Sequence, residues 1–138
     1  MMIISKVEIA KQQLESAIKA FHAGDKLAAI TLAGASEEIL GKLCEKAGKN
    51  NAIVSIKSMI SLTNKDLCEK ELVELFNNAR NNLKHIMDEA IDPVEILEID
   101  PQLMLWRAML NWMTLGRPSS ELINNFQEWL SKHPLSID

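Results

Sequence analysis

The sequence predicts an all-α protein, an antiparallel up-and-down bundle of four helices followed by one or two additional C-terminal helices. Apolar residues recur every three or four positions along most of the 138-residue chain. Gly, Pro and Asn separate these segments, as they do where helices end. The length is that of one domain, which we expect to span residues 1–138 with its core at 3–90 and its C-terminal helices at about 100–132.

The first two segments predict a tight helical hairpin. One apolar stripe runs through residues 3–21, and Gly24 and Asp25 then supply a C-cap candidate and the next N-cap. The second helix is expected over about 26–47, and its small residues let a neighbouring backbone approach closely. Its core stripe is expected to comprise Ala28, Leu32, Ala35, Ile39 and Leu43.

Two further segments complete the predicted four-helix core. The stretch AIVSIKSMISL, residues 52–62, is interpreted as a short helix, although Ile and Val also suit a strand. A long helix is expected over about 65–90, and DPVEILEIDP is predicted to be a linker because Pro93 and Pro101 flank it. The core stripe of the long helix comprises Leu72, Phe76, Ala79, Leu83, Ile86 and Ala90.

The C-terminal helices have clear start and stop signals. Asp100 followed by Pro101 is typical of an N-cap and the first helical residue, and the sequence GRP ends that helix after Leu115. The last helix is expected over about 119–132, with Leu122, Phe126, Trp129 and Leu130 facing inward. We expect the tryptophans at positions 106, 112 and 129 to pack in the core rather than to stack on bases.

Composition limits the functions that the chain can have. The net charge of −4 does not indicate a large basic surface for long nucleic acid, although it leaves a local basic site open. Cys44 and Cys68 form no CxxC pattern, so we expect small buried side chains and no zinc cluster. With no signal peptide and no apolar run near the ~18 residues of a membrane span, we expect a cytoplasmic protein without cofactor or metal.

The long helix carries an unusual polar face within FNNARNNLKHIMDEA, residues 76–90. Four of the six residues at positions 77–82 are asparagines, which are poor helix formers: Asn77, Asn78, Asn81 and Asn82. On a helical wheel Asn77 and His85 each lie about 140° from the centre of the core stripe, and Asn81 lies about 180° from it. Arg80 lies on the flank at about 80°. Plain solvent exposure explains any one of these residues, but their concentration indicates a site.

The Arg80-x4-His85 pattern resembles the signature of the HEPN superfamily (higher eukaryotes and prokaryotes nucleotide-binding domains). Its place late on a long helix of a small helical bundle is similar to that family, as is the element EILGK, residues 38–42, on the second helix. The resemblance covers roughly residues 3–90. It implies a metal-independent endoribonuclease, such as a toxin or phage-defence effector, that cleaves RNA through attack by the 2′-OH. It also leaves open a non-catalytic module that binds a protein partner or a nucleotide.

The resemblance also implies roles for individual residues. His85 is expected to be the general acid or base, Arg80 to hold the scissile phosphate and Asn81 to orient His85 or the phosphate. Asn77 and Lys84 are secondary candidates for substrate contact, and Glu38 is a candidate for support across helices.

The family resemblance implies a homodimer. Because Arg80 and His85 lie about 140° apart on the wheel, one helix does not close the site alone, and a two-fold axis can build it from two copies. Some toxin-like members carry a modified tyrosine two residues after the histidine, but position 87 here is Met87 and the chain contains no Tyr. An antitoxin would therefore act by binding. An unrelated helical adaptor that presents a groove to a partner helix is the remaining alternative.

Overall fold

A computed structural model of the chain describes residues 1–55, 77, 83, 93 and 95–133. Four helices are described over their whole length: α1 (Lys6–His22), α2 (Lys26–Lys46), α3 (Asp100–Leu115) and α4 (Glu121–Lys132). Residues 52–55 and positions 77 and 83 are also helical, and the described residues include no strand. The all-α class is confirmed. The predictions for Cys68 and for most of residues 56–92 lie outside the described residues.

Helices α1 and α2 form the predicted antiparallel hairpin. The Asp25 carboxylate caps α2 by accepting a hydrogen bond from the Ala28 N–H at 3.2 Å. Gly24 adopts a left-handed conformation with φ of 82°, which lets the chain turn within three residues. Across the buried interior of the hairpin, the Ser36 hydroxyl donates to the Ala10 carbonyl at 2.8 Å. The predicted N-cap Asp25 is therefore confirmed, whereas the C-cap of α1 is Ala23, one residue before the predicted Gly24.

The buried face of α2 is not the stripe that the sequence predicts. The five residues of that stripe, at positions 28, 32, 35, 39 and 43, are only partly buried. The most buried side is formed instead by Ala29, Ile30, Ala33, Gly34, Ser36, Glu37, Leu40, Gly41 and Cys44. It is wide because α1 and α3 both pack against α2. It is rich in small residues, which a search for large apolar side chains overlooks.

Helices α2 and α3 run in the same direction. Their contacts advance together along both chains, pairing Lys26 with Glu98, Glu37 with Arg107, Cys44 with Asn111 and Lys49 with Thr114. The helices approach closely at Gly41, where an added Cβ would lie 3.4 Å from the Asn111 Nδ2 atom. Because parallel neighbours cannot be joined by a short loop, the chain between residues 46 and 100 must return along the bundle.

Helix α4 completes the core against α1 and α3. The Trp112 indole donates to the Ser119 hydroxyl at 3.2 Å, and the Phe126 and Trp129 rings meet Phe21 edge-on. One buried cluster draws side chains from all four described helices. Helices α3 and α4 therefore contribute to the core of the described residues. The predicted antiparallel arrangement of four helices within 3–90 lies partly outside the described residues.

The start of α3 differs from the sequence prediction. Asp100 is the first residue of the helix, and Ile99, at the N-cap position, makes no side-chain capping bond. The Asp100 carboxylate instead accepts a hydrogen bond from the Leu97 N–H at 2.7 Å and closes the turn that leads into the helix. Burial, together with the nearby Glu95 charge, raises the pKa of Asp100 above its ordinary value, and the Leu97 hydrogen bond opposes this. Among the described helices, none is long and apolar enough to cross a membrane.

Substitution of Gly41 tests the close approach of α2 and α3. Gly41→Leu should lower stability by about 1–3 kcal/mol because the added side chain must displace Asn111. Gly41→Ala is the control, since one Cβ at 3.4 Å is in ordinary contact and alanine favours a helix by about 1 kcal/mol. Urea unfolding monitored by circular dichroism measures both. Equal stability of the two variants would contradict the packing described.

Substitution of Asp100 should change how stability depends on pH. A raised folded-state pKa means that the contribution of Asp100 is fully present below its unfolded value near 3.8 and is lost as pH rises through the folded value. Asp100→Asn keeps the acceptor for Leu97 but carries no charge, so it should raise the melting temperature at pH 7 and lose this advantage near pH 3. Asp100→Ala, which lacks the acceptor, is the control. A constant gain from Asp100→Asn across this range would refute the assignment.

Candidate functional site

The described residues include two of the six candidate site residues. Asn77 is helical and partly buried, and Glu38 is exposed on α2. Arg80, Asn81, Lys84 and His85 lie outside the described residues, so the structure does not test whether they meet. It does describe the surroundings of Asn77 in detail.

Asn77 is bound by a buried arginine of α3. The Arg107 side chain is completely buried, and its Nη2 atom lies 2.9 Å from the Asn77 amide oxygen. The same nitrogen lies 3.1 Å from a carboxylate oxygen of Glu37, whose side chain is 5% exposed. An Nη2 group carries two hydrogens, so it can donate one to each acceptor. One guanidinium nitrogen therefore links the segment at residue 77 to α2 at the position next to Glu38.

Asn111, one turn further along α3, continues this buried polar cluster. Its Nδ2 atom donates to the Glu37 carbonyl at 3.1 Å, and its Oδ1 atom accepts from the Ala52 N–H at 2.6 Å. The Cys44 thiol lies 3.6 Å from the Asn111 carbonyl. Burial raises the pKa of that thiol, although the Lys49 charge opposes this shift. The raised pKa keeps the thiol protonated, so it can donate a hydrogen bond. We call Glu37, Asn77, Arg107 and Asn111 the Arg107 cluster.

Three buried polar residues of α3 share one line along the helix. At about 100° per residue, Asp100, Arg107 and Asn111 fall within about 40° of one another. They bind the chain between α2 and α3 at three points, through the Leu97 N–H, the Asn77 side chain and the Ala52 N–H respectively.

The orientation predicted for Asn77 is wrong. The helical wheel turned it away from the core, yet its side chain bonds to a completely buried arginine. The wheel assumed that only apolar residues face the interior, whereas the surface of α2 and α3 that meets residue 77 carries Glu37 and Arg107. Sequence reasoning also missed Arg107. Its signal is in LMLWRAMLNW, where an arginine and an asparagine four residues apart interrupt an otherwise apolar helix.

Ring contacts join Phe21, Phe126 and Trp129 in an aromatic packing cluster. The Trp129 ring stacks on Phe126 at a centroid distance of 5.6 Å and on His133 at 4.1 Å. Trp112 is 2% exposed. The prediction that tryptophans pack rather than present a surface for bases is confirmed for both residues. Within residues 1–55 and 95–133, no group of three or more His, Cys, Asp or Glu side chains could hold a metal ion.

Comparison with protein-family models, curated proteins and solved structures finds no match to this chain. The resemblance to the HEPN superfamily is therefore carried by the residues of this chain alone.

Removal of the Arg107 charge should destabilise the protein strongly. Arg107→Met leaves the Glu37 carboxylate buried without its guanidinium partner, which should cost about 3–5 kcal/mol in the free energy of unfolding. Lys132→Met is the matched control, because Lys132 pairs with Glu128 on the surface of α4, where an i,i+4 pair contributes about 0.3–0.5 kcal/mol. Urea denaturation gives both values. Similar losses in the free energy of unfolding would show that the buried pair contributes no more to stability than the surface pair does.

Proposed function

We propose that the chain is a HEPN-like, metal-independent endoribonuclease with Arg80 and His85 at its reactive centre. The proposal starts from the motif, and the bond between Arg107 and Asn77 is the structural observation that supports it. Asn77 is helical and lies three residues before Arg80, and its anchor on α3 is also paired with α2 beside Glu38. A residue just before the motif thus has a buried hydrogen-bond partner, which supports a reaction that depends on orientation.

The proposed chemistry uses groups that the chain and its substrate supply. A general base removes the proton of an RNA 2′-OH, the oxygen attacks the adjacent phosphorus, and the 5′-oxygen leaves with a proton from a general acid. His85 acts as the acid or the base because imidazole changes its charge near neutral pH. Arg80 stabilises the charge that develops on the phosphate through its forked donors. Asn81 orients these groups, and Lys84 attracts the RNA backbone.

The proposed site is shared by two copies of the chain. On the helix that the sequence predicts over residues 65–90, Arg80 lies about 60° to one side of Asn77 and His85 about 80° to the other. The two groups therefore emerge on opposite flanks of the line that faces Arg107. A two-fold axis can bring the arginine of one copy to the histidine of the other.

A second candidate is a non-catalytic helical module that binds a protein partner or a nucleotide. The bond from Arg107 to Asn77 favours it in one respect, because it gives part of the Asn-rich face a structural use that needs no substrate. If the protein is a toxin, either candidate is compatible with an antitoxin that acts by binding.

Cleavage of RNA in the presence of EDTA tests the ribonuclease. Arg80→Ala and His85→Ala should each lower the rate about 10²–10⁴-fold, the range for loss of a positioned proton-transfer group or an oxyanion donor. Arg117→Ala and His133→Ala make the same changes at exposed positions on α3's C-terminal loop and at the end of α4, and should leave cleavage unchanged. Equal activity in the wild type and all four variants would indicate a contaminating nuclease and would refute the proposal. Intact RNA together with a thermal shift on adding a nucleotide would favour the second candidate.

Mixing the two inactive variants tests the shared site. If each site takes its arginine from one copy and its histidine from the other, an Arg80→Ala/His85→Ala heterodimer contains one complete site. With free exchange of chains, the mixture should regain about a quarter of the wild-type activity, since about half of the dimers are mixed and half of their sites are intact. No recovery, despite mixed dimers seen by native mass spectrometry, would assign the site to a single chain.

A further inference from the structure

We propose that one end of the helical bundle is a docking surface for an anionic lipid membrane. The start of α1, the ends of α2 and α3 and the start of α4 meet at this end, and we call it the basic end. Its exposed lysines bind lipid headgroups, and its projecting apolar side chains enter the headgroup region without spanning the bilayer. The proposal does not depend on the ribonuclease function, because docking uses none of the motif residues.

The contacts of the described helices bring these four segments together. Because α1 and α2 are antiparallel, the start of α1 lies beside the end of α2. Lys49, just beyond α2, donates to the Thr114 carbonyl at the end of α3 at 3.0 Å. The Trp112 indole, one turn from the end of α3, donates to the Ser119 hydroxyl just before α4. Residues that are far apart in the sequence therefore share one surface.

The charge of the basic end is opposite to that of the whole chain, whose net charge is −4. Five basic and three acidic side chains lie within the segments that form this end, residues 1–8, 42–55 and 113–121. The five basic side chains are exposed and belong to Lys6, Lys42, Lys46, Lys49 and Arg117. A surface of this charge attracts the anionic headgroups of a bilayer.

The opposite end of the bundle has the reverse balance. Its described segments, residues 19–27, 95–100 and 128–133, carry three basic and five acidic side chains. The charges are thus separated along the axis of the bundle. Attraction to an anionic surface therefore turns the basic end toward that surface and the other end away from it.

Large apolar side chains are exposed at the basic end as well. Of the seven that are exposed among the described residues, five lie there: Met1, Met2, Ile3, Val54 and Met113. Met2 and Ile3 are 79% and 91% exposed. Ser5 caps α1 by accepting a hydrogen bond from the Glu8 N–H at 3.1 Å, so this apolar segment leaves the helix beside Lys6. Apolar and basic groups are therefore presented together.

This combination favours a lipid surface over the other possible occupants. A peptide is bound in a groove, whereas Met2 and Ile3 project away from the described residues. A second copy of the chain, docked through the same end, would bring like charges together. A nucleic acid would pair with the lysines but would leave the apolar side chains in water. An anionic bilayer satisfies both kinds of group.

Cosedimentation of the full chain with lipid vesicles tests the proposal. The protein should bind vesicles of phosphatidylcholine that contain about a third phosphatidylglycerol, and it should not bind pure phosphatidylcholine. Binding should be largely lost in about 1 M salt, where the screening length falls to about 3 Å. Equal binding to both kinds of vesicle, or binding to neither, would overturn the proposal.

Two double variants with the same change in net charge test which end binds. Lys6→Gln/Lys46→Gln should weaken binding about thirtyfold, since each basic residue near an anionic surface contributes about fivefold. Lys19→Gln/Lys132→Gln is the matched control, because it removes two exposed lysines at the opposite end, and its binding should stay within about twofold of wild type. Equal losses would assign the attraction to net charge alone and refute the docking surface.

An exposed apolar residue at each end tests contact with the lipid. Ile3→Ser should weaken binding about tenfold because it removes apolar area that enters the headgroup region. Leu27→Ser is the control, since Leu27 is 53% exposed at the opposite end and should have no effect. Wild-type affinity in Ile3→Ser would refute lipid contact. Binding to single-stranded DNA that requires Lys6 and Lys46, without binding to vesicles, would overturn the proposal in favour of a nucleic-acid surface.

Discussion

The described structure depends on one buried ion pair, between Arg107 of α3 and Glu37 of α2. The two side chains are 0% and 5% exposed, so both charges have left water. Such a transfer costs several kcal/mol per ion and is offset only when hydrogen bonds satisfy the remaining donors and acceptors. This requirement accounts for Asn77, which accepts a hydrogen bond from the guanidinium, while Asn111 binds the Glu37 backbone beside the pair. An apolar pair would stabilise the contact as well or better, so the specific contribution of the ion pair is to define how α2 and α3 are aligned.

That alignment is parallel, and it governs the path of the chain between the two helices. Helix α3 is 16 residues long, so the chain must travel back about 24 Å before α3 can begin. Three residues of this stretch bind α3, and their order along the chain is the reverse of their order along α3. Residue 52 is bound at Asn111 near the end of α3, residue 77 at Arg107 in the middle and residue 97 at Asp100 at the start. The three buried polar residues of α3 thus bind residues 52, 77 and 97 in reverse order along the helix.

The sequence predicted what depends on neighbours along the chain. The hairpin, the Asp25 cap and the Gly116 C-cap follow from residues within one or two helical turns, and the structure has all three. It did not predict the buried face of α2 or the direction of Asn77, because both depend on α3, which lies more than 50 residues away from α2. A hydrophobicity pattern also treats charged residues as exposed, and Arg107 is completely buried. For Arg80 and His85 the prediction still rests on sequence.

The asparagines around Arg80 can be understood through charge. Arg107 is paired with Glu37, and its acceptor at position 77 is a neutral amide. An acidic residue there would also sit three residues before Arg80, close enough on a helix to pair with it. Positions 76, 77, 83 and 84, which are three or four residues from Arg80, hold Phe, Asn, Leu and Lys and no carboxylate. The predicted helix therefore does not neutralise Arg80 from its own face. The same amide therefore suits the buried cluster and adds no carboxylate to the predicted helix at the positions nearest Arg80.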